Sequence, residues 1–464
     1  MKRKDRTRQQ TSSSAAVELE IEKLVYGGDG LARRDGVIYF LPFVLPGEAV
    51  RARAVETHRN FVRARLEQVL RASAARRPPP CPHFTICGGC QYQHIADEAQ
   101  LETKREILRE TLARLGSSAW DGPIALHPSP PFGYRNRAQW KVRPRGGRPG
   151  TRNSTAPLGA ESRALALGYF QAGSNRLCAV EECNVLAPPL AATLAALRTE
   201  LASGQELASP RAGGSQALRE IEAFAAPDGA LLLNVSLVEL PQSPERLARR
   251  FRAAVPAARS VLLRDAAGRR MELDGPGSLV YEAAGNSYRV GHMSFFQINR
   301  FLIEAMIEQV TGGPAGALAL DLHAGVGLFS VPLGRRFARV VAVEANPAAA
   351  RDLEANLKSA GVGAPGSGAQ AVNAEAEKFL ADWRERPDLV VLDPPRTGVS
   401  AGALAALARL RPGRIHYLSC EPPTLARDLR ELEKYGYRLA ALSVFDVFPQ
   451  TSHIETLAVL VEAS

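Results

Sequence analysis

ALALDLHAGVGLFSVPL, residues 317–333, decides the fold. It opens as an apolar run, reaches Asp321, turns at Gly325 and Gly327, and continues into residues that suit a helix. A strand, a tight glycine turn and a helix start form the unit in which a parallel sheet brings bare backbone close to a ligand. The next apolar run, RVVAVE, ends in Glu344, an acid at a strand tip placed to accept hydrogen bonds from both hydroxyls of a ribose. The glycines do not spell GxGxxG, which disfavours NAD and FAD. With DPPR at Asp393–Arg396 on the fourth strand tip, the pattern points to S-adenosylmethionine.

The surroundings agree. DLVVLD and RIHYLS are further short apolar runs separated by helical stretches, as in a parallel sheet with crossover helices. LAALSVFDVF and TLAVLVE then predict an antiparallel hairpin at the sheet edge, a feature of methyltransferase sheets. The expected fold class is α/β, with this Rossmann-like methyltransferase domain over 291–464. GVGAPGSGAQ, between two of its elements, reads as a flexible surface loop.

Towards the N-terminus the patterns change. Residues 1–15 read as a disordered basic tail. Over 16–72 the alternation in ELEIEKL, the turn at Gly27–Gly30 and the run Val37–Phe40 predict a small five-stranded, OB-like barrel. Its later strands carry Arg51, Arg53, Arg59, Arg63 and Arg65 around Phe61, a pattern suited to RNA phosphates and bases. A mixed central domain is expected over 73–290, with a helix over 97–115 and a Gly/Pro/Arg/Ser loop, PRGGRPGTRNSTAPLG.

Lys plus Arg number 58 against 48 Asp plus Glu, a net +10, which favours a polyanionic partner. No apolar run reaches the roughly 20 residues a bilayer crossing needs, and no apolar segment follows the charged start as in a secretory signal. The expected location is the cytoplasm, with no membrane and no obligate protein partner. Six cysteines in such a chain suggest metal binding or catalysis rather than disulfides. Cys81, Cys87 and Cys90 crowd a Gly-rich loop, and three close thiolates bind zinc or iron–sulfur with a fourth ligand from elsewhere, Cys178 or Cys183.

Three further segments carry a resemblance: SFFQIN (Ser294–Asn299), YLSCEPPTLARDL (Tyr417–Leu429) and FPQTSHIE (Phe448–Glu455). With DPPR and the cysteine loop, the chain closely resembles the RNA (uracil-5-)-methyltransferase family over nearly its whole length. The barrel is similar to the TRAM domain of many members, and barrel plus cysteines make the chain most similar to the 23S rRNA enzymes. The resemblance implies Cys420 as nucleophile and Glu455 as base. It implies cofactor contacts from Gln297, His323, Leu328, Glu344, Asn373 and Asp393. It also implies a [4Fe-4S] cluster on Cys81, Cys87, Cys90 and Cys183, the last chosen because EECNVLAPPL fits the family's fourth-ligand segment. The chain departs from the family in reading DLHAG for DLYCG or DLFCG, Leu328 for Thr or Asn, and Glu421 for the Asn of SCNP. Two other readings stand beside 23S rRNA methylation: a tRNA uridine methyltransferase, and a non-catalytic RNA-binding or ribosome-assembly factor. The survival of both Cys420 and Glu455 favours an enzyme.

Overall fold

A computed structural model describes residues 16–116, 120–144, 165–202, 218–363 and 368–463. The tail at 1–15, most of the Gly/Pro/Arg/Ser loop and the middle of GVGAPGSGAQ lie outside the described residues.

The N-terminal sheet contains β1 (Ala16–Glu20), β2 (Lys23–Leu24), β3 (Gly30–Arg34), β4 (Val37–Leu41), β5 (Ala49–Thr57) and β6 (Phe61–Arg71). Its order is β1-β5-β6-β4-β3-β2. Alternate residues Leu19, Val50, Ala52 and Ala64 fill a small core with Ile21, Leu41 and Val44. Five strands were expected here. The sixth, β2, exists because Gly27 and Gly28 adopt φ of 98° and 97° and fold Lys23–Leu24 back onto β3.

After the cysteine loop comes α1 (Asp97–Leu115), the predicted helix, with Asp97 and Glu98 favourably placed against the helix dipole in its first turn. The short β7 (Ile124–His127) follows. A seven-stranded sheet then uses β8 (Arg137–Pro144), β9 (Leu165–Phe170), β10 (Leu177–Ala179), β11 (Leu218–Ala225), β12 (Leu231–Leu237), β13 (Ala258–Asp265) and β14 (Met271–Asp274). Helices α2 (Pro188–Ala202) and α3 (Pro244–Ala254) cover one face, over a core including Trp140, Val142, Ile221, Val235 and Leu263. A hairpin, β15 (Ser278–Ala283) and β16 (Asn286–Gly291), leads onward.

Past α4 (Ile303–Thr311), the chain alternates β17 (Gly316–Leu322), α5 (Ser330–Leu333), β18 (Phe337–Glu344), α6 (Pro347–Ser359), β19 (Ala369–Asn373), α7 (Ala376–Asp382), β20 (Leu389–Leu392), α8 (Ala401–Leu410), β21 (Arg414–Ser419) and α9 (Pro422–Lys434). It ends with β22 (Tyr437–Phe445) and β23 (Glu455–Glu462). The sheet order is β19-β18-β17-β20-β21-β23-β22-β7, the first five strands parallel and β23 antiparallel to both neighbours. Leu318, Leu320, Val390 and Leu392 enter one core, while Ala319, Val340 and Val391 enter the other. A sheet buried on both faces has no polar side, so its strands read as continuous apolar runs.

α1 and β7 precede the central sheet in the chain but belong to the C-terminal core. Leu101, Leu108 and Ile124 pack with Leu425, Leu432 and Leu442. Residues 73–290 thus contribute to three cores, since the hairpin β15–β16 packs with Ala319 and Val340 on the other side of the C-terminal sheet. Among the described residues no helix is long and apolar enough to cross a membrane.

Candidate active site

Strand order reverses between β18-β17 and β20-β21, and ligands of open parallel sheets bind outside the carboxyl ends of the strands at such a point. Four predicted residues stand at these ends. His323 follows β17, Glu344 ends β18, Asp393 follows β20 and Cys420 follows β21. Glu455 opens β23. The antiparallel ladder ends at Ser419 and Thr456, and Cys420, the next residue, lies close enough to Glu455 for the carboxyl to act on its thiol. The nucleophile and base positions therefore meet across adjacent strands.

The glycine turn after β17 is built for close approach. Gly327 has φ of 91°, and an added Cβ would stand 2.7 Å from Leu353. His323 itself adopts φ of 65°, a conformation that His tolerates better than branched residues. Gly325 N–H donates to Glu344 Oε2 at 2.8 Å and Asn346 N–H to Oε1 at 2.6 Å, which fixes the carboxylate at the strand tip. Asn373 secures the neighbouring backbone, its amide donating to the carbonyls of Glu344 and Ala345. Gln297 Nε2 lies 3.5 Å from Asp393 Oδ2. Leu328 differs from the rest: its side chain is buried in the apolar core, and its carbonyl accepts from Tyr288.

Buried polar atoms mark a ligand cradle. Asp321 is fully buried; Ser330 Oγ donates to its Oδ2 at 2.5 Å, but Oδ1 has no partner, and neither does Nδ1 of His323. Beside His323 a cavity of about 230 Å³ is lined by Leu322, Ala345, Ala376, Leu392 and Val399 among others, a mainly apolar slot for a flat ring. Burial, reinforced by mutual repulsion, pushes Asp321 and Asp393 up to about 7 and Glu455 to about 8. Such converging acids, with Glu344 among them, suit a cationic ligand such as a sulfonium. These residues fit S-adenosylmethionine.

Burial, and then Glu455, push the Cys420 thiol up to about 11, while Arg396 opposes the rise. Cys420 also lies two residues before the N-terminus of α9, whose partial positive charge favours a thiolate. Asp428 anchors this helix by accepting from Tyr417 Oη at 2.7 Å and Val399 N–H at 2.9 Å. The loop that delivers Glu455 is pinned through Gln450. Its N–H donates to Gln100 Oε1 at 2.8 Å, its amide to Asp97 Oδ1 at 2.8 Å, and its carbonyl accepts from Gln91 and Tyr92.

Two contributors were not anticipated. Arg396 stood inside the quoted DPPR without a role, although its charge acts on both Cys420 and Glu455. Tyr26 reaches from the N-terminal sheet to hydrogen-bond Glu421, beside the nucleophile position. The only sequence signal for the latter was Glu421 replacing the family's Asn.

The cysteines lie apart from this pocket. Cys81, Cys87, Cys90 and Cys183 line one cavity of about 440 Å³, whereas Cys178 is buried in the central core. Among the described residues no three His, Cys, Asp or Glu side chains close on a single ion.

The strand order and the acids at the strand tips define an S-adenosylmethionine-dependent methyltransferase. A family described as tRNA (Uracil-5-)-methyltransferase matches residues 277–463, and the TRAM domain matches residues 15–66. The chain is 35% identical over 453 residues to 23S rRNA (uracil(1939)-C(5))-methyltransferase RlmD of Pseudomonas putida, covering 95% of this chain and 92% of the relative. It is 32% identical to an uncharacterized RNA methyltransferase of Aquifex aeolicus, covering 96% and 98%. The solved structure of Pyrococcus abyssi tRNA (uracil-54, C5)-methyltransferase in complex with S-adenosyl-L-homocysteine shares the fold, with TM-score 0.69, 22% identity and coverage of 96% and 100%. The chain belongs to the RNA (uracil-5-)-methyltransferase family.

Proposed function

We propose that this enzyme methylates carbon 5 of one uridine in 23S rRNA, with Cys420 as nucleophile and Glu455 as base. The observation that carries the chemistry is that Cys420, just past the end of β21, lies within electrostatic reach of Glu455 at the start of β23, beside the acids that fit the cofactor. Gln297, His323, Glu344, Asn373 and Asp393 would hold S-adenosylmethionine, Leu328 contributing through its backbone. Bound there, the cofactor supplies an electrophilic methyl group.

Carbon 5 of uracil is too weak a nucleophile to take that methyl unaided. The Cys420 thiolate adds to carbon 6, and the electrons of the ring double bond move onto the carbonyl as an enolate, which makes carbon 5 nucleophilic. After methylation Glu455 removes the carbon-5 proton, the double bond re-forms and the thiolate leaves. Glu455 accepts that proton as a carboxylate, and burial, which pushes its carboxyl up to about 8, makes it a stronger base than an exposed glutamate. The target base must leave its stack to reach this pocket.

Assignment to rRNA rather than tRNA follows the relatives that share both sequence and length with this chain, several of which are named as 23S rRNA enzymes. With that target we propose that the enzyme works in the cytoplasm. Mapping uridine methylation in 23S rRNA and tRNA of a deletion strain tests it; a lost tRNA mark with intact 23S rRNA would overturn it. Glu455→Gln should still methylate but accumulate a covalent RNA–protein adduct on a denaturing gel.

We also infer a [4Fe-4S] cluster on Cys81, Cys87, Cys90 and Cys183. Support comes from the shared cavity of these four and the exclusion of Cys178 from its lining. Anaerobically purified protein should contain iron and absorb in the visible; stoichiometric zinc without iron would overturn this.

A further inference from the structure

The second face of the central sheet changes character along its strands. Near the hairpin β15–β16 it is apolar, with Phe224 and Leu232 packed into the core shared with Tyr281. Further along, no described element covers it. There Lys141, Glu220, Ser236 and Arg264 form one row across β8, β11, β12 and β13, each the register partner of the next. At the β9 side Phe170 joins the row. Lys141 Nζ and the Arg143 guanidinium each lie 5.6 Å from the centre of its ring. A groove of about 440 Å³ is lined by these side chains with Arg219.

We propose that this groove binds a single-stranded segment of the substrate RNA, with Phe170 as a stacking platform and Lys141, Arg143, Arg219 and Arg264 along the phosphates. The inference rests on the reading that the substrate is RNA. Four cations line the groove against Glu220 and Asp265, and Lys141 already neutralises Glu220. An open sheet face with a half-buried aromatic ring among cations is the chemistry that holds unpaired nucleotides, since every base offers a π-face and every nucleotide a phosphate.

Its location supports the assignment. The cysteine loop is hydrogen-bonded to the end of β9: Gly88 N–H donates to Phe170 O at 2.9 Å, and Ala172 N–H to Ile86 O at 3.3 Å. The same loop donates from Gln91 and Tyr92 to Gln450 O at 3.0 and 2.9 Å, at the base of the segment carrying Glu455. One loop therefore joins the groove to the reactive pocket. Whatever rigidifies the four-cysteine cavity also fixes Phe170, which lines both spaces.

The test measures binding of a 23S rRNA fragment and of an oligouridylate by full-length protein at several salt concentrations. Phe170→Ala should weaken oligouridylate binding about 5- to 100-fold, the effect of losing one stacked base. Arg143→Ala with Arg264→Ala should reduce the slope of log K against log salt by about 0.7 for each lost phosphate contact. S-adenosylmethionine binding should be unchanged in both, and the circular dichroism spectrum and thermal unfolding of each variant should match the wild type, which controls for folding of the central sheet. If wild-type protein binds RNA and both variants match it in affinity and slope, the groove is overturned. Failure of wild-type protein to bind either RNA would instead remove the RNA reading on which it rests.

Discussion

The two large sheets solve opposite problems. The C-terminal sheet buries both faces, so its only route to a substrate is the row of strand ends, where His323, Asp393, Cys420 and Glu455 gather. The central sheet buries one face under α2 and α3, and among the described residues part of its other face lines an open groove. A sheet used at its ends supplies a few groups in fixed geometry. A sheet used on its face supplies area. The first arrangement suits bond-making, and the second suits holding a long, charged chain.

The contrast breaks most sharply at Cys420. Cys420→Ala should lower turnover at least about a thousand-fold while cofactor and RNA affinities stay near those of the wild type, as read by steady-state rates and equilibrium binding. Groove variants should do the reverse, losing RNA affinity with the chemical step at saturation retained. Any large loss of RNA affinity in Cys420→Ala would blur the division.

A second expectation concerns what supports the strand ends. Lys104 of α1 is fully buried and donates to Asp446 Oδ1 at 2.6 Å and to the Phe448 carbonyl at 2.9 Å. Lys104→Met strands the buried carboxylate, at a cost of about 3–5 kcal/mol in urea denaturation. The substitution lies outside the central sheet, so the unfolding transition of that sheet should be little altered.

The smallest effect is a pH dependence. Burial, and then Asp393, disfavour the charge of Glu455 and push its carboxyl from the ordinary 4.5 up to about 8 in the folded protein. An acid raised on folding contributes stability below its unfolded pKa and loses it as pH rises through the folded value. Glu455→Gln should therefore gain stability relative to wild type between pH 5 and pH 8, by roughly 1–4 kcal/mol. A constant difference across that range would show that Glu455 is ionised in the free enzyme.

The same contrast explains what the sequence disclosed. Strands buried on both sides announce themselves as apolar runs, so β17, β18, β20 and β21 were legible, as were the acids and Cys420 at their ends. Motif order carried Glu455 and the cysteines. The groove was not legible, because Lys141, Glu220, Ser236 and Arg264 sit on four strands separated by long connections and become neighbours only through register. Tyr26 met Glu421 across almost the whole chain for the same reason. The two-residue β2 and four-residue β7 are too short to show a period.

β7 has a consequence for synthesis. It pairs in parallel with β22, the penultimate strand of the chain, and so completes the C-terminal sheet from a segment made before the central sheet begins. On a chain made from its N-terminus, β7 and the apolar face of α1 must wait, unpaired, while the central sheet emerges and folds. A piece restricted to residues 277–463 would show the opposite defect, an uncovered β22 edge open to pairing with other chains. The reactive half is thus a unit of chemistry without being a unit of folding. Shortened versions of this enzyme should keep residues 97–127, or supply a substitute edge, if they are to stay in solution.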